Sequence, residues 1–269
     1  MNIPYQIVVC GGVVPDPLQT LEPIATANGP ALKNELLLPH VLDPWSAHAL
    51  YEAAHLARRS AGSKVWLVSV APKTKLQQVM MTIGQRVPLE LVAIEGPASG
   101  FTDAADVAAA LAAGIEGIAG LDQSRLLLFG GWESASRAAG ATMQMVGERL
   151  GIIDQFQGVD ELSVADDGAL RILERIEGGQ HQVSVCSGPP VLLGWATGNL
   201  PEPPNHPQIG MQNMRAIMPA LQKARTAQIS GGARFESVTL PKQQRATRIV
   251  KDKPVEEIAR EIVTWVTAE

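Results

Sequence analysis

Residues 43–70 read DPWSAHALYEAAHLARRSAGSKVWLVSV, and the passage from helix to strand inside them decides the fold. Asp43 followed by Pro44 is an N-cap ahead of a proline at the first helical position, where a missing N–H costs nothing. Leu50, Ala53, Ala54 and Ala57 then repeat on one face, and Arg58 and Arg59 close the last turn against the negative end of the helix dipole. Residues 65–70 follow as an apolar, strand-like run. The same alternation recurs on either side. Strand-like runs at 6–10, 65–70, 89–94 and 125–129 are separated by helical patterns at 44–59, at 74–83 with Gly84 as its stop, from 102 or 103 to 117, and at 136–150 with Gly151 as its stop. Strand then helix, repeated four times, predicts a doubly wound α/β fold: a mainly parallel sheet with right-handed crossovers and helices on both faces. Ligands of such sheets bind beyond the carboxyl ends of the strands.

Beyond residue 151 the rhythm changes. From 158 to 195 the chain reads as strands (170–176, 181–186 and 191–195 among them) joined by tight turns at Asp166-Asp167-Gly168 and Gly178-Gly179, which predicts antiparallel strands extending one edge of the sheet. Four prolines fall within 198–207, so that stretch is a loop, and 211–223 returns to helical composition. After Gly231-Gly232 come a short strand at 236–240, a basic run at 242–248 and an amphipathic helix at 255–266. The expected organisation is therefore one α/β domain over 1–225 and a C-terminal arm over 226–269 that packs on a partner.

Composition narrows the function. In 269 residues, 46% hydrophobic and 18% charged, disorder is excluded, and a net charge of -5 with a pI near 5.6 offers no positive field for a nucleic acid. The longest apolar candidate for a membrane span, 107–115, is bounded by Asp106 and Glu116, and residues 1–6 carry no positive charge ahead of the first apolar run, so a cytoplasmic location is expected. Cys10 and Cys186 sit in apolar runs and read as buried thiols; the five histidines show no metal-ligand spacing. There is no GxGxxG after the first strand, no GxxxxGK[ST] and no GxSxG, and no nucleophile, base and acid can be assembled, so a binding or carrier role outranks catalysis. Two glycine-rich turns remain. Gly11-Gly12 either lets a ligand ring approach the backbone or is merely a turn. The run from Gly130 through Gly131, Ser134, Ser136 and Arg137 to Gly140 and Thr142 either holds a phosphate on N–H groups, hydroxyls and the arginine, or is a plain loop with Ser136 as the N-cap.

Taken in order, these segments resemble the beta subunit of electron transfer flavoprotein over nearly the whole chain. The opening strand and turn (Ile7 to Asp16) resemble the family's strand ending in Val-Pro-Asp, with Gly12 where a lysine is frequent. Asp43-Pro44-Trp45-Ser46 with Glu52-Ala53 resembles its Asn-Pro helix start and Glu-Ala pair, and Val68-Ser69-Val70-Ala71-Pro72 its Val-Ser-x-Gly-Pro strand end. Glu177-Gly178-Gly179 and Pro189-Pro190-Val191-Leu192 resemble its Glu-Gly-Gly hairpin and Pro-Ala-Val strand, and Asn205-His206-Pro207 its Asn-x-Pro-Arg loop, with Gln208 in the arginine's place.

The resemblance implies a fold like that of the adenine nucleotide alpha hydrolases and a heterodimer with an alpha subunit that holds most of the FAD. Such a carrier takes electrons from a flavin-dependent dehydrogenase and passes them to an acceptor such as a membrane quinone oxidoreductase. It also implies AMP, or a second FAD in electron-bifurcating members, against Cys10, Gly11, Asp43, Pro44, Ser46 and Val70, with the phosphate along Gly130 to Thr142. The isoalloxazine contact would come from the turn at residues 14–18, and dehydrogenase docking from 205–223, with Met211, Met214 and Ile217 as candidate anchors. The phosphate segment departs from the pattern: it is two residues short, with Trp132 and Ala135 in place of polar residues, so either Arg137 pairs with the phosphate or Trp132 fills the pocket. A stand-alone adenine-nucleotide-binding protein of the stress type is the competing reading; such domains are shorter and lack the edge hairpin and arm.

Overall fold

A fully buried strand, β1 (Gln6–Cys10), runs up the middle of the molecule with a parallel neighbour on each side. The computed structural model describes residues 4–26, 29–97, 102–136, 138–229 and 249–267. In chain order the elements are β1, β2 (Val13–Pro15), β3 (Pro23–Thr26), β4 (Gly29–Leu32), β5 (His40–Leu42), α1 (Pro44–Arg59), β6 (Lys64–Ala71), α2 (Lys73–Ile83), β7 (Glu90–Glu95), α3 (Ala104–Glu116), β8 (Leu126–Gly131), α4 (Ala141–Arg149), β9 (Gln155–Val164), β10 (Leu170–Arg175), β11 (His181–Cys186), β12 (Val191–Trp195), α5 (Pro207–Gln222), β13 (Arg225–Thr226) and α6 (Val255–Thr267). The main sheet has the order β11-β10-β9-β12-β8-β1-β6-β7-β13. It is parallel from β9 through β12, β8, β1, β6 and β7 to β13, and antiparallel only where β10 joins β9 and β11.

Period-two alternation divides the strands between two apolar layers. Ile7, Val9, Leu67 and Phe129 face one layer, with α1, α2 and α5 against it; Val8, Cys10, Val68 and Leu128 face the other, with α3 and α4. Both faces are covered by helices, as the strand-helix repeat predicts. The register sets Cys10 level with Val68 on one side and Gly130 on the other; beyond that level β8 runs one residue further and β6 three.

The helix starts follow the capping rules where side chains supply an acceptor. Asp43 accepts the Trp45 N–H at 3.2 Å ahead of Pro44, and Asp103 accepts the Ala105 N–H at 2.8 Å ahead of α3. The expected helix from residue 136 begins instead at Ala141. Ala138 (φ 50°) and Gly140 (φ 64°) are both left-handed, and two such residues within three positions cannot belong to a right-handed helix. Ser136 is exposed and Gly140 occupies the N-cap.

Elsewhere the differences have simple causes. The strand at 191–195 is not an antiparallel edge strand; β12 lies inside the sheet, parallel to β8 and β9. The helix expected at 211–223 starts four residues earlier, because Pro207 is its first residue, a position proline suits. The small ladders β2–β5 and β3–β4 are too short, and too rich in proline, to show a period. The strand expected at 236–240 and the basic run at 242–248 lie outside the described residues. The terminal helix is present as α6, and none of its described residues is buried. No helix among the described residues is long and apolar enough to cross a membrane.

Candidate functional site

A cavity of about 190 Å³ opens where β1, β6 and β8 end. Cys10, Val70 and Gly131 close its base; Val13, Val14 and Pro15 of β2 form one wall; Ala104, Val107 and Leu111 of α3 form another. The remaining side is Glu133, Ser134, Ser136 and the first turn of α4, from Gly140 to Met143. The lining is thus apolar beneath and hydroxylic along one rim, with Asp43, Ser46, Ser134, Ser136 and Thr142 as its side-chain hydrogen-bonding groups together with Thr102 and Glu133.

Asp43 organises that rim. Its carboxylate, in a residue only 2% exposed, accepts the Trp45 N–H on Oδ1 and, 92 residues along the chain, the Ala135 N–H on Oδ2 at 2.8 Å. The cap of α1 therefore also ties down the loop after β8. Burial pushes the Asp43 carboxyl above its ordinary range, against the opposing pull of the Ala135, Trp45 and Ser46 N–H groups. Glycines allow the close approach: a Cβ on Gly131 would lie 2.6 Å from the Trp45 Cβ, and one on Gly140 would lie 2.8 Å from the Trp132 carbonyl oxygen. Gly11 also serves packing, since a Cβ there would meet Leu42 and Leu67 at 2.7 and 2.8 Å.

The first turn of α4 contributes Ala141, Thr142 and Met143 to the lining, and the orphan N–H groups of a helix start carry partial positive charge. Together with two serine hydroxyls, that is a seat for an anionic oxygen; no lysine, arginine or histidine lines the cavity among the described residues. A model of the electron transfer flavoprotein domain matches residues 36–230. The chain belongs to the electron transfer flavoprotein family. No curated protein matches it.

The structure gathers Cys10 and Gly11, which precede the matched electron transfer flavoprotein segment, with Asp43, Ser46, Val70, Gly131, Ser134, Ser136, Gly140 and Thr142 inside it, around one cavity. Pro44 and Gly130 stand behind it: Pro44 is the first residue of α1, and a Cβ on Gly130 would overlap Met143, which lines the cavity instead. Arg137 lies outside the described residues. Trp132 does not fill the cavity; its ring packs against Gly158 on β9, where a Cβ would sit 3.4 Å from it. The Cys10 thiol is pushed up to about 12 by burial, which leaves it inert.

Residues on α3 were missed by sequence reasoning. Val107 and Leu111 are four apart and share a helical face, which signals burial but not which cavity they bury against. Met143 and the β2 wall carried no local signal. Of the three docking candidates, Met211 is 65% exposed, Met214 packs against the core and Ile217 is fully buried. The α5 stripe Gly210, Asn213, Ile217 and Leu221 faces inward, so Ile217 is a core residue and Met211 is the one presented outward. Among the described residues no cluster of His, Cys, Asp and Glu could hold a metal ion.

Proposed function

We propose that this chain is the beta subunit of a heterodimeric electron transfer flavoprotein, with FAD held mostly by an alpha subunit and AMP in the cavity at the ends of β1, β6 and β8. The observation that carries the reading is the Asp43 tether: one buried carboxylate caps α1 and fixes the loop whose hydroxyls and helix start would meet a phosphate. The apolar base formed by Cys10, Val70, Val107 and Leu111 suits an adenine ring.

Two exposed features support a partner subunit. Helix α6 leaves Val255, Ile262, Val263, Trp265 and Val266 in solvent, more apolar surface than a helix standing alone retains without cause. Leu18, 91% exposed at the turn after β2, stands where the resemblance places the flavin contact. Bound FAD supplies the redox chemistry; the residues of this chain position and enclose, and none needs to be catalytic. In this role the carrier receives electrons from a flavin-dependent dehydrogenase and delivers them to an acceptor such as a membrane quinone oxidoreductase.

The test is co-expression with the alpha subunit, purification, and chromatography of extracted nucleotides. One FAD and one AMP per heterodimer is the expected result. Two FAD and no AMP would reverse the assignment of the cavity, and a colourless homodimer that hydrolyses ATP would overturn the carrier reading.

A further inference from the structure

A second cavity, of about 460 Å³, lies at the β7 edge of the sheet, between the outer flank of α3 and the end of α5, and shares no residue with the cavity at the strand ends. Two elements leave it open. β13 is only two residues long and pairs β7 at Ile94 and Glu95 alone, so lower on β7 the flank of α3 has no further strand to rest on. That flank is Ala109, Ala110, Ala113, Gly114 and Gly117, whereas the face of α3 that packs on the sheet carries Leu111 and Ile115. Methyl groups and hydrogens do not reach across the width that larger side chains would fill, and a hollow remains.

The hollow has two chemistries. Val92, Ile94 and Ala227, which belong to the apolar layer under α3, give it a hydrocarbon floor. Lys223 and Arg225 stand on its α5 side; no aspartate or glutamate lines it, and neither cation has an ion-pair partner among the described residues. The first cavity is the reverse, with Asp43 and Glu133 and no cation among its described lining. Two unpaired cations beside hydrocarbon complement a ligand with an apolar body and one anionic head: the stems of Lys223 and Arg225 extend the apolar wall while their charged ends stay wet and meet the head. Length follows from the walls. Residues 91–94 span about 10 Å at roughly 3.3 Å per step, and residues 109–117 about 12 Å at roughly 1.5 Å per residue. At roughly 1.25 Å of advance per carbon, from C–C bonds of about 1.5 Å, an extended chain of about eight to ten carbons matches that span.

We propose that this cavity binds an amphipathic monocarboxylate, an unbranched acid of about eight to ten carbons, with its chain along the small-residue flank of α3 and its carboxylate between Lys223 and Arg225. The proposal does not depend on the carrier reading above, and the failure of either leaves the other standing.

The experiment is calorimetric titration of the full-length protein, in the assembly in which it purifies, with decanoate, 1-decanol and acetate. Decanoate should bind with a Kd of about 0.1–1 mM, acetate more than about tenfold more weakly for want of a chain, and decanol about fivefold more weakly for want of a charge. The double variant Lys223→Gln, Arg225→Gln keeps the length of both side chains and removes both charges; it should weaken decanoate about fivefold and leave decanol unchanged. Ala113 is exposed, so Ala113→Leu adds bulk to the hollow without entering the core, and it should abolish binding of both while urea unfolding stays within about 0.5 kcal/mol of wild type. No heat from decanoate up to about 5 mM, decanoate and decanol binding equally, or decanoate binding that survives the double variant or Ala113→Leu unchanged would each overturn the proposal. Slow amide exchange at Leu91 and Ala93 together with no decanoate binding would assign the cavity to a polypeptide and overturn it equally.

Discussion

Replacing Asp43 should separate two jobs that one carboxylate performs. Asp43→Ala removes the N-cap of α1, worth roughly 0.5–2 kcal/mol. It also removes the bond from Ala135, at 2.8 Å, which as a bond to a charged group is worth about 1.5–3 kcal/mol before the cost of burying the charge is returned. That return is substantial, since burial raises the Asp43 carboxyl despite its N–H partners. The net loss expected is about 2–3 kcal/mol, and at roughly 2–4 °C per kcal/mol for a chain of this size it lowers Tm by about 5–10 °C. Asp43→Asn keeps an oxygen for the Trp45 N–H but turns an NH2 toward Ala135, so it retains the cap and loses the tether. Urea unfolding and AMP content, measured on both variants as heterodimers, test the division. Asp43→Asn should lose about 1 kcal/mol of stability yet match Asp43→Ala in nucleotide loss, about tenfold in affinity, equivalent to roughly 1.4 kcal/mol. An Asp43→Asn variant that keeps its AMP, or an Asp43→Ala variant within about 0.5 kcal/mol of wild type, would refute the tether.

Gly140→Ala places a Cβ at φ 64° and 2.8 Å from the Trp132 carbonyl oxygen; at roughly 1–2 kcal/mol for the left-handed backbone alone, it should destabilise measurably and release the nucleotide, read by thermal melting and extraction. Ile217→Ala should cost about 2–5 kcal/mol as a core truncation, whereas Met211→Ala should leave urea unfolding within about 0.5 kcal/mol of wild type and raise only the KM for the dehydrogenase. Iodoacetamide at pH 8 should leave Cys10 unlabelled until the protein unfolds, because its thiol titrates near 12. The pH dependence has two opposed parts. Burial raises the Asp43 and Glu52 carboxyls, so between the ordinary carboxylate pKa and their raised values the native state binds more protons than the unfolded state, and their contribution falls as pH rises through that window. Burial also pushes Asp160 upward, but the bonds from His181, Arg175 and Thr197 outweigh it and leave it low, so its contribution is present above the unfolded pKa and is lost as pH falls through the folded one. Asp160→Asn should flatten the acid limb of the stability profile, and Glu52→Gln the decline above it, both read by urea titration across pH 3–7.

The legible parts of this fold are those in which one residue decides locally. Asp43-Pro44 sets the start of α1 because the cap and the proline act within one turn, and β1 and β11 show their ends because apolar residues stop where turns begin. The start of α4 was not legible. Residues 136–140 contain small residues and an arginine, all compatible with a helix, and what excludes one is the left-handed conformation of Ala138 and Gly140. A Cβ at Gly140 would also lie 2.8 Å from the Trp132 carbonyl oxygen, a closeness that no local pattern records. The site divides the same way. Residues on the turns after β1 and β8 were readable because glycines and hydroxyls there are unusual, while Val107, Leu111 and Met143 are ordinary apolar helix residues assigned to the cavity only by the packing of α3 and α4. Ile217 was misread for a related reason: methionine and isoleucine at helical spacing do not say which of them faces the sheet.

Helix α1 holds two loops at once. Asp43 at its first turn holds the loop over the nucleotide cavity, and Glu52, nine residues on, holds the strap that leads to α5. Between them Ala49, Leu50 and Ala53 are fully buried on the sheet, and a helix locked by close-packed small residues has no second register to occupy. Communication between sites requires an element with two arrangements that both ligands bias, and α1 offers one. A nucleotide bound in the cavity would therefore act on the strap at 197–206 only by stabilising the fold that both share. AMP binding should raise the stability of the whole domain by an amount set by its concentration relative to Kd, about 2.7 kcal/mol at a hundredfold excess, and leave affinity for the dehydrogenase unchanged. Under the proposed function a nucleotide bound there would be a structural part of the carrier, filling the cavity between α3, the start of α4 and the strand ends.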